Sequence, residues 1–342
     1  MSSLSSLSSL SSLSDEEINI RNIPDRKDFW NDLEENEFRS RFKFNKPRIL
    51  HILSKIGHLI EPDTRRSKAI DARTQVLIAL RFYATGSFQA VLGDLVGCDK
   101  ATVCRILQRV TKAIASLAPG EIMMPNGQEC HQVAQEFHEI AGFPRVLGII
   151  DCTHVKINSP GGRLAESFRC QKGYFSINVQ IVSDSRLKIR NIIVRWPGSV
   201  HDSTIFNNSP LCAQLESGRY GNFYLLGNSG YFCKRFLLTP FLSPSTTAEE
   251  NFNKSHVKTR NTVKRCIGVW KRRFPCIQKG ITLKKMDTIL NVIMATAVLH
   301  NMAIEFEEEF LDIDLDDDEL VNMVPHGPQN FSERTALVKS IF

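Results

Sequence analysis

Apolar positions along the chain follow two rhythms. Between residues 69 and 116 they recur at helical spacing in three consecutive stretches. IDARTQVLIALRFYATG (70–86) predicts an amphipathic helix stopped at Gly86, and SFQAVLGDLVG (87–97) predicts a second stopped at Gly97. KATVCRILQRVTKAI (100–114) predicts a third, capped by Asp99. In it Val103, Ile106, Leu107 and Val110 form a core-facing stripe, while Thr102, Arg105, Arg109 and Lys112 share the opposite face, with Lys100 at its start. Phe29, Leu33, Phe38 and Phe42 suggest two or three short helices across 26–60. Beyond residue 144 the rhythm changes to short, β-branched runs. RVLGIIDCTHVKI (145–157), FSINVQIVSD (175–184) and KIRNIIVRW (188–196) read as strands, the last two as a hairpin. PGSVHDSTIF (197–206) turns into a helix, FYLLGNSGY (223–231) is a further strand, and 260–274 and 286–304 are helices.

This pattern divides the chain into a helical region at 26–118, a linker at 119–144 carrying the helix HQVAQEFHEIAG, and an α/β unit at 145–304. Two short helices joined by a tight turn, with a basic face on the second, predict a helix-turn-helix at about 87–113. A plain three-helix packing unit with a solvated face fits the same spacing. Three strands, a helix, a strand and then helices is the element order of an RNase H-like core.

Charge sharpens the picture. The 342 residues carry a net charge of +6, but residues 305–319 (EFEEEFLDIDLDDDE) hold ten acids and no base, which leaves 1–304 at +15. A body this basic points to a polyanionic partner, most simply DNA. The acidic tail (305–320) and the SSL repeat at 1–25 are expected to lack fixed structure, with 321–342 as a C-terminal segment. Nine cysteines occur without a CxxC pair, which argues against a zinc module and for reduced thiols inside the cell. No wholly apolar stretch reaches the roughly 18 residues of a membrane span, and no signal pattern opens the chain, so no membrane partner is expected.

Chemistry enters at Asp151, an acid inside an apolar strand. Burying it is costly unless it is paired, hydrogen-bonded or bound to a metal. Asp151 in IDCTHVKI, RCQKGYFSINVQIVSD, Asp202 in WPGSVHDSTIF, LLGNSGYFCKRFLLTP, TRNTVKRCIGVWKRRF and VLHNMAI together closely resemble the PIF/Harbinger transposases and the Harbinger transposase-derived nucleases domesticated from them. The resemblance runs over residues 70–304. It implies an N-terminal helix-turn-helix, an RNase H-like DDE-type core, a nuclear setting, with the cytoplasm as the alternative, and a separate Myb-like DNA-binding partner protein. It also implies a catalytic centre in which two Mg²⁺ or Mn²⁺ ions, about 3.5–4 Å apart, activate water and stabilise the leaving oxygen.

The family carries acids at four positions, here Asp151, Asp202, Asn228 and Lys264. Asn228 stands in GNSGY where the family has GDSGY, and Lys264 stands where the family has a glutamate. Asn228 retains an oxygen for a metal, so the implied ligands are Asp151, Asp202 and Asn228. The exchanges shift the local charge by about +3 and oppose the binding of two dications. Val263, Ile267, Trp270 and Phe274 form the buried stripe of this helix, and Lys264, Gly268 and Lys271 the face beside it. Lys264 is expected either between Asp151 and Asp202, standing in for the metals, or snorkelling to solvent. Asp184 is a possible substitute ligand. His154, His201 and His256 match no metal spacing, and His300-Asn301 reads as a hydrogen-bonding pair. DNA contacts are expected from Lys100, Thr102, Arg105, Arg109, Lys112, Lys271 and Arg272. Two functions stay open: a DNA- or chromatin-binding nuclear protein that has lost cleavage, and a metal-dependent endonuclease cutting phosphodiester bonds.

Overall fold

A computed structural model describes residues 27–62, 69–306 and 332–341. The SSL repeat at 1–25, most of the acidic tail at 305–320 and part of the 321–342 segment lie outside the described residues. The chain opens with helices α1 (Phe29–Asp32), α2 (Glu35–Phe42) and α3 (Lys46–Ile60). Short polar caps set their starts: Asp28 accepts from the Trp30 and Asn31 amides, and Asn45 from that of Arg48. Next come α4 (Ala72–Thr85), α5 (Gln89–Val96) and α6 (Lys100–Ala115). Gly86 and Gly97 end α4 and α5 in the left-handed region, and the Asp99 side chain caps α6 through the Thr102 amide. The two helices and tight turn that the spacing predicts at 87–113 are therefore formed by α5 and α6.

The stretch read as a linker, 119–144, carries α7 (Ala118–Glu121) and α8 (Gln128–Ala141). It is more than a connection. Cys130, Val133, Ala134 and Phe137 bury one face of α8 in a layer packed on the first strand and on a late helix.

Among the described residues the sheet has five strands. They are β1 (Val146–Lys156), β2 (Ser176–Ser183), β3 (Ile189–Pro197), β4 (Tyr224–Leu226) and β5 (Leu237–Leu238), in the order β3-β2-β1-β4-β5. β1 pairs antiparallel with β2 (Asp151 opposite Ile181) and parallel with β4 (Ile149 opposite Leu226). Helices α9 (Asp202–Asn207) and α10 (Pro210–Glu216) pack through Phe206, Leu211 and Leu215 with Leu147, Ile150 and Leu225 of the sheet. On the other side lie α11 (Thr247–Arg273), α12 (Pro275–Lys279) and α13 (Met286–Glu305). The segment α14 (Ser332–Ile341) returns to α11.

One continuous core joins the helical region to the sheet, because α13 packs on both α6 and β3. By length and composition α13 could cross a membrane, which departs from the expectation that no stretch would. Most of it is buried in the protein instead, as suits a core helix covered on nearly every face. At the seam, a Cβ on Gly86 would approach the Cys276 Cα to 3.3 Å.

Inside the helical layer the buried Tyr83 hydroxyl and Thr111 Oγ1 lie 2.7 Å apart. Burial pushes the Tyr83 phenol well above its ordinary range, so it stays neutral. Tyr83→Phe removes this bond without opening a large cavity. It is expected to cost about 1–2 kcal/mol, read as a lower urea midpoint at unchanged m.

Candidate functional site

Asp151 sits at mid-length in the central strand and is 8% exposed. Its Oδ1 accepts from the Cys152 amide at 2.9 Å and from Asn228 Nδ2 at 3.2 Å. Its Oδ2 faces Arg260 Nη2 of α11 at 3.4 Å. Burial raises the proton affinity of Asp151 more than Arg260 and the Cys152 amide lower it, and nearby Asp202 adds to the rise.

Asn228 is placed by the sharp exit from β4. Its Oδ1 accepts from the Gly230 amide at 2.8 Å, which leaves its NH₂ to point at Asp151. Asp202 opens α9, and its Oδ1 accepts from Asn178 Nδ2 of β2 at 3.1 Å; the same NH₂ reaches the Val200 carbonyl at 2.9 Å. Tyr231 Oη and Cys152 Sγ lie 3.3 Å apart beside these acids. Burial pushes the Cys152 thiol and the Tyr231 phenol well above their ordinary values. Neither ionises near neutral pH.

Three of the four expected positions, Asp151, Asp202 and Asn228, therefore gather at one place. Of the two places expected for Lys264, the one between Asp151 and Asp202 is not taken. Lys264 is half-buried and forms no ion pair among the described residues; the cation at Asp151 is Arg260, one helical turn earlier. The i, i+4 spacing from Lys264 back to Arg260 was the available signal. Asn178 and Tyr231 lie inside two of the motifs that carry the family resemblance, SINVQ and GNSGY, which was the signal available for them.

Lys271, expected at DNA, is half-buried, with its Nζ donating to the His154 carbonyl at 3.0 Å. Asp184 is no substitute ligand. It accepts from the Arg186 and Lys188 amides and from Arg190 Nε at 2.7 Å, closing the β2–β3 turn. His256 is buried, with Nε2 3.2 Å from the Leu238 carbonyl, and burial holds it down to about 3. His300 faces the Leu187 carbonyl, and Asn301 bonds Ile189 and Glu121, so this pair does tie α13 to β3 and α7. His154 Nδ1 lies 3.0 Å from Ser176 Oγ.

These groups do not fit a two-metal centre. Two carboxylates remain, and one of them already holds an amide NH₂ and a guanidinium. Among the described residues no group of three or more His, Cys, Asp or Glu side chains is placed to hold a metal ion.

Along α6, Lys100, Arg105, Arg109 and Lys112 are exposed in one basic band. Thr102 Oγ1 donates to Asp99 and accepts from Arg105 Nη2 at 2.9 Å, which steadies the first turn; Arg109 Nη1 reaches Gln75 Oε1 at 3.3 Å. Arg272 is exposed near the end of α11.

Residues 150–301 match the model of the DDE superfamily endonuclease family, spanning Asp151, Asp202, Asn228 and Lys264. The chain is 33% identical over 277 residues to "Putative nuclease HARBI1" of Homo sapiens, covering 80% of this chain and 79% of that protein. The Xenopus laevis protein of the same name is 27% identical over 319 residues, covering 91% and 92%. "Protein ALP1-like" of Arabidopsis thaliana is 25% identical over 295 residues, covering 80% and 72%. No solved structure matches the chain. DDE endonucleases as a class work with divalent metal, whereas this chain carries an amide at 228 and a guanidinium, Arg260, against Asp151. With an RNase H-like core, the family model and these relatives in agreement, the chain belongs to the Harbinger transposase-derived nucleases of the DDE endonuclease superfamily.

Proposed function

We propose that this member of the family is a nuclear DNA- or chromatin-binding protein that no longer cleaves DNA. One observation carries the loss of cleavage: both oxygens of Asp151 are satisfied by protein donors, Asn228 Nδ2 and Arg260 Nη2, at the place where the family chemistry needs ligands open to a metal. A neutral amide oxygen is a weaker ligand than a carboxylate, and a nearby guanidinium repels a dication. DNA binding is supported by the basic band on α6 and by the net charge of the body, with α6 as the helix entering the major groove. A Myb-like DNA-binding protein is the partner this reading assigns.

The test uses the full-length protein with a labelled duplex and, separately, supercoiled plasmid with Mn²⁺. The native protein is expected to bind the duplex and leave the plasmid intact. Arg105→Ala/Arg109→Ala is expected to weaken binding and to lower the log–log salt slope by about 2. Nicking by the native protein but not by Asp151→Ala would establish the endonuclease instead. A native-like slope in the arginine double variant would remove α6 from the DNA interface.

A further inference from the structure

At the far end of α11 from Arg260, lysines collect that form no ion pair among the described residues. Lys271 Nζ rests on the His154 carbonyl at 3.0 Å, which lays an ammonium against β1 two strand positions before Lys156. Lys156 Nζ stands 5.9 Å over the Tyr174 ring, whose edge meets the His154 ring at 6.5 Å. Lys172 is exposed in the 158–175 connection that leads into Tyr174. Among the described residues none of Lys156, Lys172, Lys264 and Lys271 forms an ion pair. Other cations of the core do have acids: Arg190 has Asp184 and Glu129, Arg186 has Glu136, and Lys234 has Glu216.

The cluster is also strained by its own charge. Burial, with Lys172 adding, brings Lys271 down to about 8; burial also lowers His154, with Asp202 opposing and the two lysines contributing. Desolvating like charges side by side is unfavourable and is relieved when an anion enters.

The wall that presents these groups is fixed. The Ser199 amide donates to the Ser167 carbonyl, Arg169 ties Glu166 to the Gly173 carbonyl, and the Ile281 amide donates to the Lys156 carbonyl. The 158–175 connection is thereby braced against the segment that leads into Asp202. Along α11, Arg260, Lys264, Gly268 and Lys271 follow one face from Asp151 to His154. The eleven steps from Arg260 to Lys271 span about 16 Å of helix. That is the axial length of about five nucleotides in one strand of a duplex.

We propose that Lys156, Lys172 and Lys271, with the His154 ring among them, form a subsite for the phosphodiester backbone of a DNA strand that runs along α11 past Asp151. Lys271 spends one of its three N–H donors on the His154 carbonyl and keeps two for phosphate oxygens. His154, engaged at Nδ1 by Ser176, offers Nε2. The subsite is separate from the α6 band and rests on the DNA-binding reading above.

The experiment is anisotropy of a short labelled duplex over a salt series, with the full chain and with Lys156→Ala/Lys172→Ala. Both side chains are exposed, so the variant is expected to melt with the native protein. Roughly tenfold weaker binding and a salt slope lower by about 2 are expected. Lys172→Glu alone is expected to weaken binding by a similar factor. The same double variant placed on Arg105→Ala/Arg109→Ala is expected to add its loss to theirs, since the two surfaces share no residue. Native affinity and slope in Lys156→Ala/Lys172→Ala and in Lys172→Glu, beside a weakened α6 variant, would overturn the subsite and leave DNA binding standing. A native protein that binds no duplex at low salt would overturn both.

Discussion

Gly198→Ala is expected to destabilise the protein by about 3 kcal/mol, the upper end of what overpacking usually costs. Gly198 follows β3 and precedes the segment that delivers Asp202. A Cβ there would lie 2.2 Å from Ser176 Oγ, 2.6 Å from the Phe168 carbonyl oxygen and 2.9 Å from that of Ser176. The serine hydroxyl can rotate away, but two backbone oxygens cannot. One belongs to β2 and the other to the connection that Ser199 braces. Entropy of the unfolded chain favours alanine by about 0.4–1 kcal/mol, far less than the clash. Relief requires the 198–202 segment to move out, which breaks the Asn178 bonds to Val200 and Asp202. Equilibrium urea unfolding checks the result. A loss under 1 kcal/mol would mean that the segment gives way cheaply and that Asp202 is loosely held.

Asn228→Asp is expected to cost about 2–3 kcal/mol near neutral pH and to make stability depend on pH. The native side chain accepts from Gly230 with its oxygen and donates to Asp151 with its nitrogen. An aspartate keeps the first bond and replaces the second by a carboxylate oxygen facing Oδ1 of Asp151. Asp151 is already raised by burial, so the new pair holds a proton that both groups have lost in the unfolded chain above about pH 5. A folded state that binds more protons than the unfolded one loses stability as pH rises. The deficit relative to the native protein is therefore expected to be smallest near pH 4 and to grow through the raised folded value. Mn²⁺ is expected to raise the variant's melting temperature and to leave that of the native protein unchanged. A deficit that stays constant with pH would refute the facing-carboxylate geometry.

The sequence made some elements legible and hid others for physical reasons. Helix α6 announces itself through the Asp99 cap and a stripe of four apolar residues, and β1 through its β-branched run, because both signals are local. Strand β5 is two leucines that become a strand only by pairing with β4. The first half of α11, from Thr247, has no apolar stripe to read. It is set by the Thr246 cap, by Glu249 and Glu250 in its first turn, and by Phe252 and His256 packing against Phe143. A helix read from 260 has Arg260 at a frayed end, where no partner can be expected of it. In the longer helix Arg260 is mid-helix and reaches Asp151. The acids at 151 and 202 were legible because their motifs survive. The donors that satisfy them were not, since a hydrogen bond between residues 77 positions apart leaves no mark in local spacing.

The pairing of Asp151 with Arg260 spans 109 positions of chain, and this dictates an order of events at the ribosome. The β1–β2–β3 meander is contiguous in sequence and can collapse before α11 is made, burying a carboxylate whose partner has not yet been translated. Until α11 emerges, the nascent sheet carries an unneutralised charge at its centre. A transcript or cleavage product that ends before residue 260 would carry it permanently, and quality control would meet that fragment as a misfolded chain.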